Sequence, residues 1–173
     1  MQTPVTSRAI QMNTTLPEKL SHWVDCPFGS THWGRFGAAG VLIIKSARGG
    51  AEVLLQQRAL WTHHGGEWST PGGAIEEGET SLIGAMREAK EETGISARSL
   101  LVTGLITHEC QCGWRYDVFI ATTRKPVRVK KNSESAALKW VKTTRVERLD
   151  LLPAFRVSWD AHPYLLNGSV FPR

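Results

Sequence analysis

Residues 73–95 read GAIEEGETSLIGAMREAKEETGI, an acidic segment that begins on a glycine and ends just after another. Thr80 is a residue type that caps helix N-termini, and Gly94 is the type that most often ends a helix in the left-handed conformation. The segment therefore predicts a helix over residues 80–93. Its apolar stripe has the i, i+3, i+4, i+7 spacing of a core-facing helix and consists of Leu82, Ala85, Met86 and Ala89.

Three glutamates, Glu88, Glu91 and Glu92, share another face of this helix. Their repulsion costs roughly a few tenths of a kcal/mol per pair, and a solvated acidic face is the ordinary interpretation of such a cluster. Two further features favour a ligand site. Arg87 can pair with Glu79 or Glu91 and hold the geometry, and the glycine-rich entry to the helix lets the backbone approach a ligand closely.

Clustered carboxylates with backbone oxygens are the ligands that Mg²⁺ prefers, and Mg²⁺ commonly bridges protein carboxylates to substrate phosphates. Such an ion can polarise a phosphoryl oxygen, orient the substrate and lower the pKa of an attacking water. The glutamate face therefore indicates Mg²⁺-dependent chemistry on a phosphorylated substrate, with Mn²⁺ as the alternative cation.

The same segment resembles the Nudix box over all of its 23 positions. The seven identities that the box fixes are all present, namely Gly73, Glu79, Arg87, Glu88, Glu91, Glu92 and Gly94. Ala89 and Ile95 occupy its aliphatic positions. The resemblance implies an α+β fold, the Nudix α/β/α sandwich around a mixed β-sheet. It also implies an enzyme that cleaves the diphosphate linkage of a nucleotide-like substrate with a divalent cation.

The resemblance further implies roles for individual residues. The family's metal ligands match Glu88, Glu91, Glu92 and the backbone carbonyl of Gly73. Arg87 and Glu79 match the supporting pair that orients the glutamates.

The general base of the family varies in location, and two carboxylates are candidates here. One is Glu88 within the box. The other is Glu134, in an Asn-Ser-Glu-Ser loop that precedes the strand carrying Trp140 and Val141. The alternative for Glu134 is an ordinary loop acid, so the choice between the two candidates stays open.

Residues 63–73 resemble the MutT-like branch of the family, which includes enzymes that remove oxidised nucleoside triphosphates. This resemblance implies hydrolysis of a nucleoside triphosphate to a monophosphate and pyrophosphate, with an oxidised guanine nucleotide among the substrates. The candidate substrate contacts are Arg58, His63, His64 and Trp68. Arg58 matches a basic residue that is frequent in that branch, whereas core packing or loop shape is the ordinary role of the other three. Further aromatic side chains that could stack on a base are Trp61, Trp114 and Tyr116.

Other substrates and a second class of function stay open. The runner-up is an ADP-ribose, dinucleoside polyphosphate or sugar-nucleotide hydrolase. Residues 107–111 lack the proline of the ADP-ribose enzymes, and Tyr116 leaves the dinucleoside polyphosphate class open. A non-catalytic Nudix module for ligand sensing or protein binding is disfavoured because none of the box glutamates is altered.

The 173 residues are interpreted as an N-terminal extension, 1–35, which is partly irregular, and a Nudix hydrolase domain, 36–173. Apolar, β-branched runs predict strands at 38–45, 52–58, 99–109, 115–123, 127–129 and 137–142. Short helices are expected over 144–151 and from 153 onward. The mixture of elements has no regular βαβ rhythm, which favours an α+β fold. The extension is expected to cover a sheet edge or to mediate a homodimer contact.

The net charge of +5 and a pI near 9.4 favour a polyanionic partner. No nucleic-acid motif is visible, so we expect a small phosphorylated ligand and not a polynucleotide. No run approaches the ~20 apolar residues of a membrane helix, and the polar N-terminus lacks the apolar middle of a signal peptide. The sequence therefore predicts a cytoplasmic protein without a membrane partner.

Three cysteines, Cys26, Cys110 and Cys112, cannot all pair with one another, which argues for a reducing compartment. The Cys110-x-Cys112 motif lacks a second closely spaced pair, whereas a structural zinc site usually has four ligands. We therefore expect free thiols on or near a strand and not a zinc site.

Overall fold

The computed structural model describes residues 22–29, 31–123, 125–163 and 165 of the chain. These residues form nine strands: β1 (Trp23–Asp25), β2 (Thr31–Trp33), β3 (Ala38–Ala47), β4 (Gly50–Arg58), β5 (Trp68–Ser69), β6 (Gly72–Ala74), β7 (Leu100–Glu109), β8 (Arg115–Thr123) and β9 (Ser135–Lys142). Two α-helices, α1 (Ser81–Thr93) and α2 (Pro153–Asp160), and two 3₁₀ segments, Ala97–Ser99 and Thr143–Arg148, complete the described part. None of its helices is long and apolar enough to cross a bilayer.

Seven of the described strands form one mixed sheet. Its path runs β5-β4-β3-β8-β7, with β6 paired to β3 and β9 paired to β4. β3 and β8 run parallel, whereas the other strand pairs of this seven-stranded sheet are antiparallel. The mixed sheet and the order of its elements confirm the predicted α+β fold.

The two faces of the sheet carry separate apolar layers, because successive side chains of a strand point to opposite sides. One layer packs against α1 through Ala85 and Ala89. The other packs against α2 through Phe155 and Trp159, which are both almost fully buried. The two helices therefore cover opposite faces, which is the expected α/β/α sandwich.

Helix α1 begins and ends at the predicted residues. Thr80 Oγ1 accepts a hydrogen bond from a backbone amide of the first turn at 3.3 Å, and Gly94 adopts the left-handed conformation with φ 73°. The apolar stripe is narrower than predicted, because Ala85 and Ala89 are buried whereas Leu82 is 40% exposed. Small side chains at the buried positions let α1 lie close to the sheet.

β1 and β2 form a separate two-stranded antiparallel sheet, with Trp23 opposite Trp33. The described part of the extension 1–35, which was predicted to be partly irregular, thus contains a hairpin, and residues 1–21 lie outside the described residues. The sequence does not reveal these strands because three residues are too few to show an alternating pattern.

Two other local predictions were wrong. Residues 127–129 form no strand; Val127 and Val129 pack against the α1-side layer, and Lys130 N donates to Thr93 O at the end of α1. The helix predicted over 144–151 is the shorter 3₁₀ segment Thr143–Arg148. At 127–129 the β-branched side chains pack against the core. The neighbouring backbone amide of Lys130 bonds to the end of α1 and not to a strand.

Candidate active site

Strand β6 pairs with the start of β3 and leads into the loop that precedes α1. This connection brings Gly72 and Gly73 against the glutamates of the helix. Gly72 N donates a hydrogen bond to Glu92 Oε2 at 2.8 Å. A Cβ atom at position 73 would lie 2.6 Å from Glu88 Oε1, closer than real Cβ contacts. The absence of a side chain at Gly73 is therefore what allows Glu88 to lie against this backbone.

Arg87 is the centre of an ion-pair network between the loop and the helix. Its Nε and Nη2 donate to the two carboxylate oxygens of Glu79 at 2.9 and 3.0 Å, a two-pronged contact. Nη1 donates to Glu88 Oε1 at 2.8 Å, and Nη2 also donates to Ala74 O at 2.9 Å. The hydrogen bond from Arg87 lowers the pKa of Glu79, and the same bond raises the pKa of Arg87. The network fixes the direction of the Glu88 carboxylate.

Glu92 and Glu88 are carboxylates held away from water. Glu92 is 3% exposed, and its burial raises the pKa of its carboxyl to about 7, although the hydrogen bond from Gln56 opposes this shift. Burial also raises the pKa of Glu88, against the hydrogen bond and the charge of Arg87. Glu91 differs from both, because its side chain is 55% exposed. The hydrogen bonds that Glu88 and Glu92 accept therefore only partly offset the cost of holding these charged carboxylates away from water.

A hard divalent cation fits this donor set. The charge of Glu88 raises the pKa of Glu92, and a positive neighbour would favour the charged forms of both carboxylates. The more exposed carboxylate of Glu91 stands on the same helix face, one turn from Glu88. Carboxylate and backbone oxygens with room for water are the surroundings that Mg²⁺ accepts. The groups that could bind such a cation are the carboxylates of Glu88, Glu91 and Glu92 and the backbone at Gly73.

Gln56 on β4 belongs to this site, although sequence analysis did not find it. The side chain is 1% exposed, and its Nε2 donates to Glu92 Oε1 at 2.8 Å and to Ser135 Oγ at 2.9 Å. One available signal was a polar residue placed directly after the apolar run 53–55, where an inward position normally holds another apolar side chain. Such a residue needs a buried hydrogen-bond partner.

Glu134 lies in the loop before β9 and is exposed. Its backbone carbonyl accepts a hydrogen bond from Ala59 N at 2.9 Å, and its own amide donates to Asn132 Oδ1 at 3.0 Å. The negative charge of Glu134 raises the pKa of both Glu88 and Glu92. The structure thus places this loop acid within electrostatic reach of the box glutamates.

The predicted substrate residues lie together: Arg58 ends β4, and His63 and His64 belong to the segment between β4 and β5. Arg58 Nε donates to His63 O at 2.7 Å, and His64 has φ 58°, a left-handed conformation that is uncommon outside glycine. His64 Nδ1 lies 3.0 Å from Glu67 Oε2. The ring of His63 packs edge-on against Trp23 of β1 at 4.9 Å, and burial lowers its pKa. The contacts of all three residues within this segment give it a defined shape.

The aromatic candidates separate by burial. Trp68 is 6% exposed and packs in the α2-side layer, which corrects its prediction as a substrate contact, because stacking needs an exposed ring face. Tyr116 is half-buried, with its hydroxyl 3.3 Å from Thr70 Oγ1. Trp114 stacks on His32, whereas Trp61 is exposed. Among these four, Trp61 has the most exposed side chain.

Proteins with similar sequences match about four fifths of the chain. A "Putative 8-oxo-dGTP diphosphatase 3" of Mycobacterium tuberculosis is 42% identical over 145 residues, which cover 80% of this chain and 66% of that protein. A "Nucleoside triphosphate pyrophosphatase/Nudix hydrolase fusion protein" of Bifidobacterium longum is 37% identical over 144 residues, covering 79% and 30% respectively. This chain thus spans slightly less than two thirds of the first relative's length and under a third of the second's.

Solved structures of Nudix proteins are also similar to this chain. A Nudix hydrolase of M. smegmatis, RenU, superposes with a TM-score of 0.78 and 38% identity, covering 87% of this chain and 96% of that one. An Ap4A hydrolase of C. elegans, at 23% identity and a TM-score of 0.63, covers 76% and 98% and is similar in fold alone. The sequence profile of the NUDIX domain matches residues 34–162. With the box residues assembled as described, the chain belongs to the Nudix hydrolase family.

Proposed function

We propose that this chain is a divalent-metal-dependent pyrophosphohydrolase that converts a nucleoside triphosphate to a monophosphate and pyrophosphate. An oxidised guanine nucleotide is among the substrates. One observation carries the proposal: the half-buried carboxylate of Glu88 and the buried carboxylate of Glu92 face the glycine backbone of β6 and are fixed there by Arg87 and Gln56. An ordinary acidic helix face would be solvated and would need no such support.

Glu88, Glu91, Glu92 and the Gly73 carbonyl would hold Mg²⁺ or Mn²⁺. When bound, the ion would neutralise phosphate charge, polarise a phosphoryl oxygen and lower the pKa of an attacking water. The protein's own contribution is orientation. Arg87 holds Glu88 through one hydrogen bond and Glu79 through two, while Gln56 and the Gly72 amide hold both oxygens of Glu92.

Glu134 is the better placed of the two general-base candidates. Glu88 Oε1 accepts a hydrogen bond from Arg87, and the same carboxylate is a proposed metal ligand, so two other roles already occupy it. Glu134 is exposed, lies in a loop and acts electrostatically on Glu88 and Glu92. A base of this kind acts on water near the metal ligands without being one of them, and the electrostatic effect of Glu134 on Glu88 and Glu92 supports that role.

The choice of substrate rests on the relatives and on charge. The mycobacterial relative carries a name that refers to hydrolysis of an oxidised guanine nucleotide. The net charge of +5 suits a polyanion, and Arg58, His63 and His64 are the proposed contacts to it. ADP-ribose, dinucleoside polyphosphates and sugar nucleotides are the alternatives, and a ligand-sensing module is the alternative of another class.

A hydrolysis panel read by chromatography tests the proposal. It contains the common and oxidised deoxynucleoside triphosphates, ADP-ribose, NADH and diadenosine polyphosphates, each with Mg²⁺, with Mn²⁺ and with EDTA. We expect a monophosphate and pyrophosphate from a triphosphate, and no reaction with EDTA. Cleavage of ADP-ribose or a dinucleotide instead would keep the reaction class and change the substrate. Silence across the panel in folded protein would favour the ligand-sensing module.

A further inference from the structure

Four side chains that commonly bind metals lie together outside the glutamate site. Cys26 follows β1, His32 belongs to β2, and Cys110 and Cys112 lie at the turn between β7 and β8. One ligand atom from each lies within 4.8 Å of the other three. The cluster joins distant parts of the chain, since 84 positions separate Cys26 from Cys110.

The sulfur atoms have the spacing of ligands that share one ion. Cys26 Sγ and Cys110 Sγ are 3.5 Å apart, and all three cysteines are free thiols. Two thiolates on a tetrahedral zinc ion, each about 2.3 Å from the metal, would be about 3.8 Å apart. Small side-chain movements would therefore bring the four ligand atoms to a common centre.

His32 is held in place through its ring face. The imidazole stacks on Trp114 with centroids 4.4 Å apart and an interplanar angle of 8°, and Trp114 Nε1 donates to Gly34 O at 2.9 Å. Nε2 of His32 is buried and has no hydrogen-bond partner among the described residues. A buried polar atom without a partner destabilises the fold, and a bound cation would remove that cost.

The turn that carries the other two ligands is also well fixed. Cys110 N donates to Trp114 O at 2.9 Å, and Gly113 N donates to Cys110 O at 2.8 Å. Gly113 has φ 85°, a conformation that favours glycine at this position. The Cys110-x-Cys112 pair therefore stands on a closed turn that faces Cys26 of the N-terminal hairpin.

We propose that Cys26, His32, Cys110 and Cys112 bind one structural zinc ion. Three thiolates and one imidazole complete the four-ligand set of structural zinc sites. Sulfur donors also favour zinc over the hard cations expected at the box glutamates. The hairpin supplies the second ligand pair that the sequence around Cys110-x-Cys112 lacks, which is why free thiols were expected. Each cysteine would release its thiol proton to solvent on binding.

The ion would fasten the β1–β2 hairpin to the turn between β7 and β8. Within the described residues the hairpin is a sheet of its own and pairs with no strand of the main sheet. Apart from the chain that continues from β2 into β3, the hairpin is therefore held to the main sheet by side-chain contacts and by the Cys26, His32, Cys110 and Cys112 cluster. Because the free energy of metal binding adds to that of folding, removal of zinc should loosen the hairpin before the rest of the domain.

Metal analysis of the full chain tests the proposal directly. Protein made with zinc in the medium, purified under reducing conditions and dialysed against metal-free buffer should retain about one zinc ion per chain. Its three thiols should react with a thiol reagent only after treatment with a strong chelator. Cobalt, added in place of zinc, should give the visible absorption bands of tetrahedral thiolate coordination.

Ligand variants locate the ion. Cys112→Ser and His32→Ala should each lower the zinc content well below one ion per chain. His22→Ala is the matched control, because the ring of His22 lies 5.3 Å from that of Trp33 on the same hairpin but outside the cluster. Glu92→Gln should keep its zinc, which separates this ion from the cation of the glutamate site.

Three results would overturn the proposal. The first is folded wild-type protein with reduced thiols that neither retains zinc nor gives cobalt–thiolate bands. The second is full retention of zinc in both ligand variants. The third is a disulfide between Cys26 and Cys110 in peptides from protein kept under reducing conditions. The wild-type measurements do not depend on the folding of any variant, and no readout is hydrolysis, so failure of the proposed enzyme activity would leave this test intact.

Discussion

Gln56 Nε2 lies 2.8 Å from Glu92 Oε1, and the two residues come from β4 and α1, on either side of one buried layer. The amide also donates to Ser135 Oγ at the start of β9, while the backbone amide of Gly72 donates to the second Glu92 oxygen. Two strands of the sheet thus orient Glu92 directly, and a third fixes the Gln56 amide that holds it. A carboxylate held this way is already oriented before a cation binds, so less conformational entropy is lost on binding.

Gln56→Leu should lower the apparent affinity of the enzyme for Mg²⁺ without unfolding the protein. The apolar side chain removes the donor from one Glu92 oxygen, and loss of such a supporting hydrogen bond typically lowers metal affinity or activity by about 10- to 100-fold. The readout is the Mg²⁺ concentration at half-maximal rate, which should rise. Gln57→Leu is the matched control, because its amide bonds to Gly66 O and not to the glutamates. Equal behaviour of the two variants would contradict the role given to Gln56.

The sequence predicted the helix and its acidic face from local spacing, through the Thr80 and Gly94 caps and glutamates three and four residues apart. The sandwich was predicted from the resemblance of the box to a known family. The sequence did not predict Gln56 or the cysteine cluster, because their partners are distant in sequence and meet only through strand pairing. It also assigned Trp68 to the substrate. A tryptophan in a polar loop has the same sequence pattern whether its ring is exposed or, as here, buried under a helix.

Glu92→Gln should abolish most turnover and leave the fold intact. Metal-ion catalysis supplies several kcal/mol, so loss of this ligand should slow hydrolysis by roughly 10²- to 10³-fold. The new amide can still be satisfied, because Gln56 Oε1 has no partner among the described residues and can accept from it after the Gln56 amide rotates. The melting temperature without metal should therefore not fall. Glu77→Gln, an exposed change in the same segment, is the control. Wild-type turnover in Glu92→Gln would refute the metal site.

Glu134→Gln should separate proton transfer from metal binding. If Glu134 activates water, its amide form should lower kcat by about 10²- to 10⁴-fold, which is the usual contribution of a general base. The Mg²⁺ concentration at half-maximal rate should stay unchanged, because the proposed ligands do not include Glu134. Glu147→Gln, another exposed acid outside the site, controls for the loss of one negative charge. No effect on kcat would return the role of general base to Glu88.

Arg87→Lys should destabilise the site even before metal is added. A lysine keeps the charge but cannot reproduce the two-pronged contact with Glu79 while also donating to Glu88 and to Ala74 O. Loss of these partly buried hydrogen bonds should lower the free energy of unfolding by about 1–3 kcal/mol, measured with urea in EDTA. Arg98→Lys, on an exposed 3₁₀ segment, should change it little.

The Arg87–Glu79 pair should act as a unit, which a double-mutant cycle measures. Glu79→Gln alone removes the charge that Arg87 faces and leaves a partly buried cation with one partner fewer. Once Arg87→Lys has already disrupted the contact, the same change should cost less, so the two effects should sum to more than the effect of the double variant. The expected coupling is about 0.5–3 kcal/mol, the range for residues in one ion-pair network. Strict additivity of the two changes would mean that Glu79 does not orient Arg87, and the position of Arg87 beside Glu88 would then rest on its contact with Ala74 O.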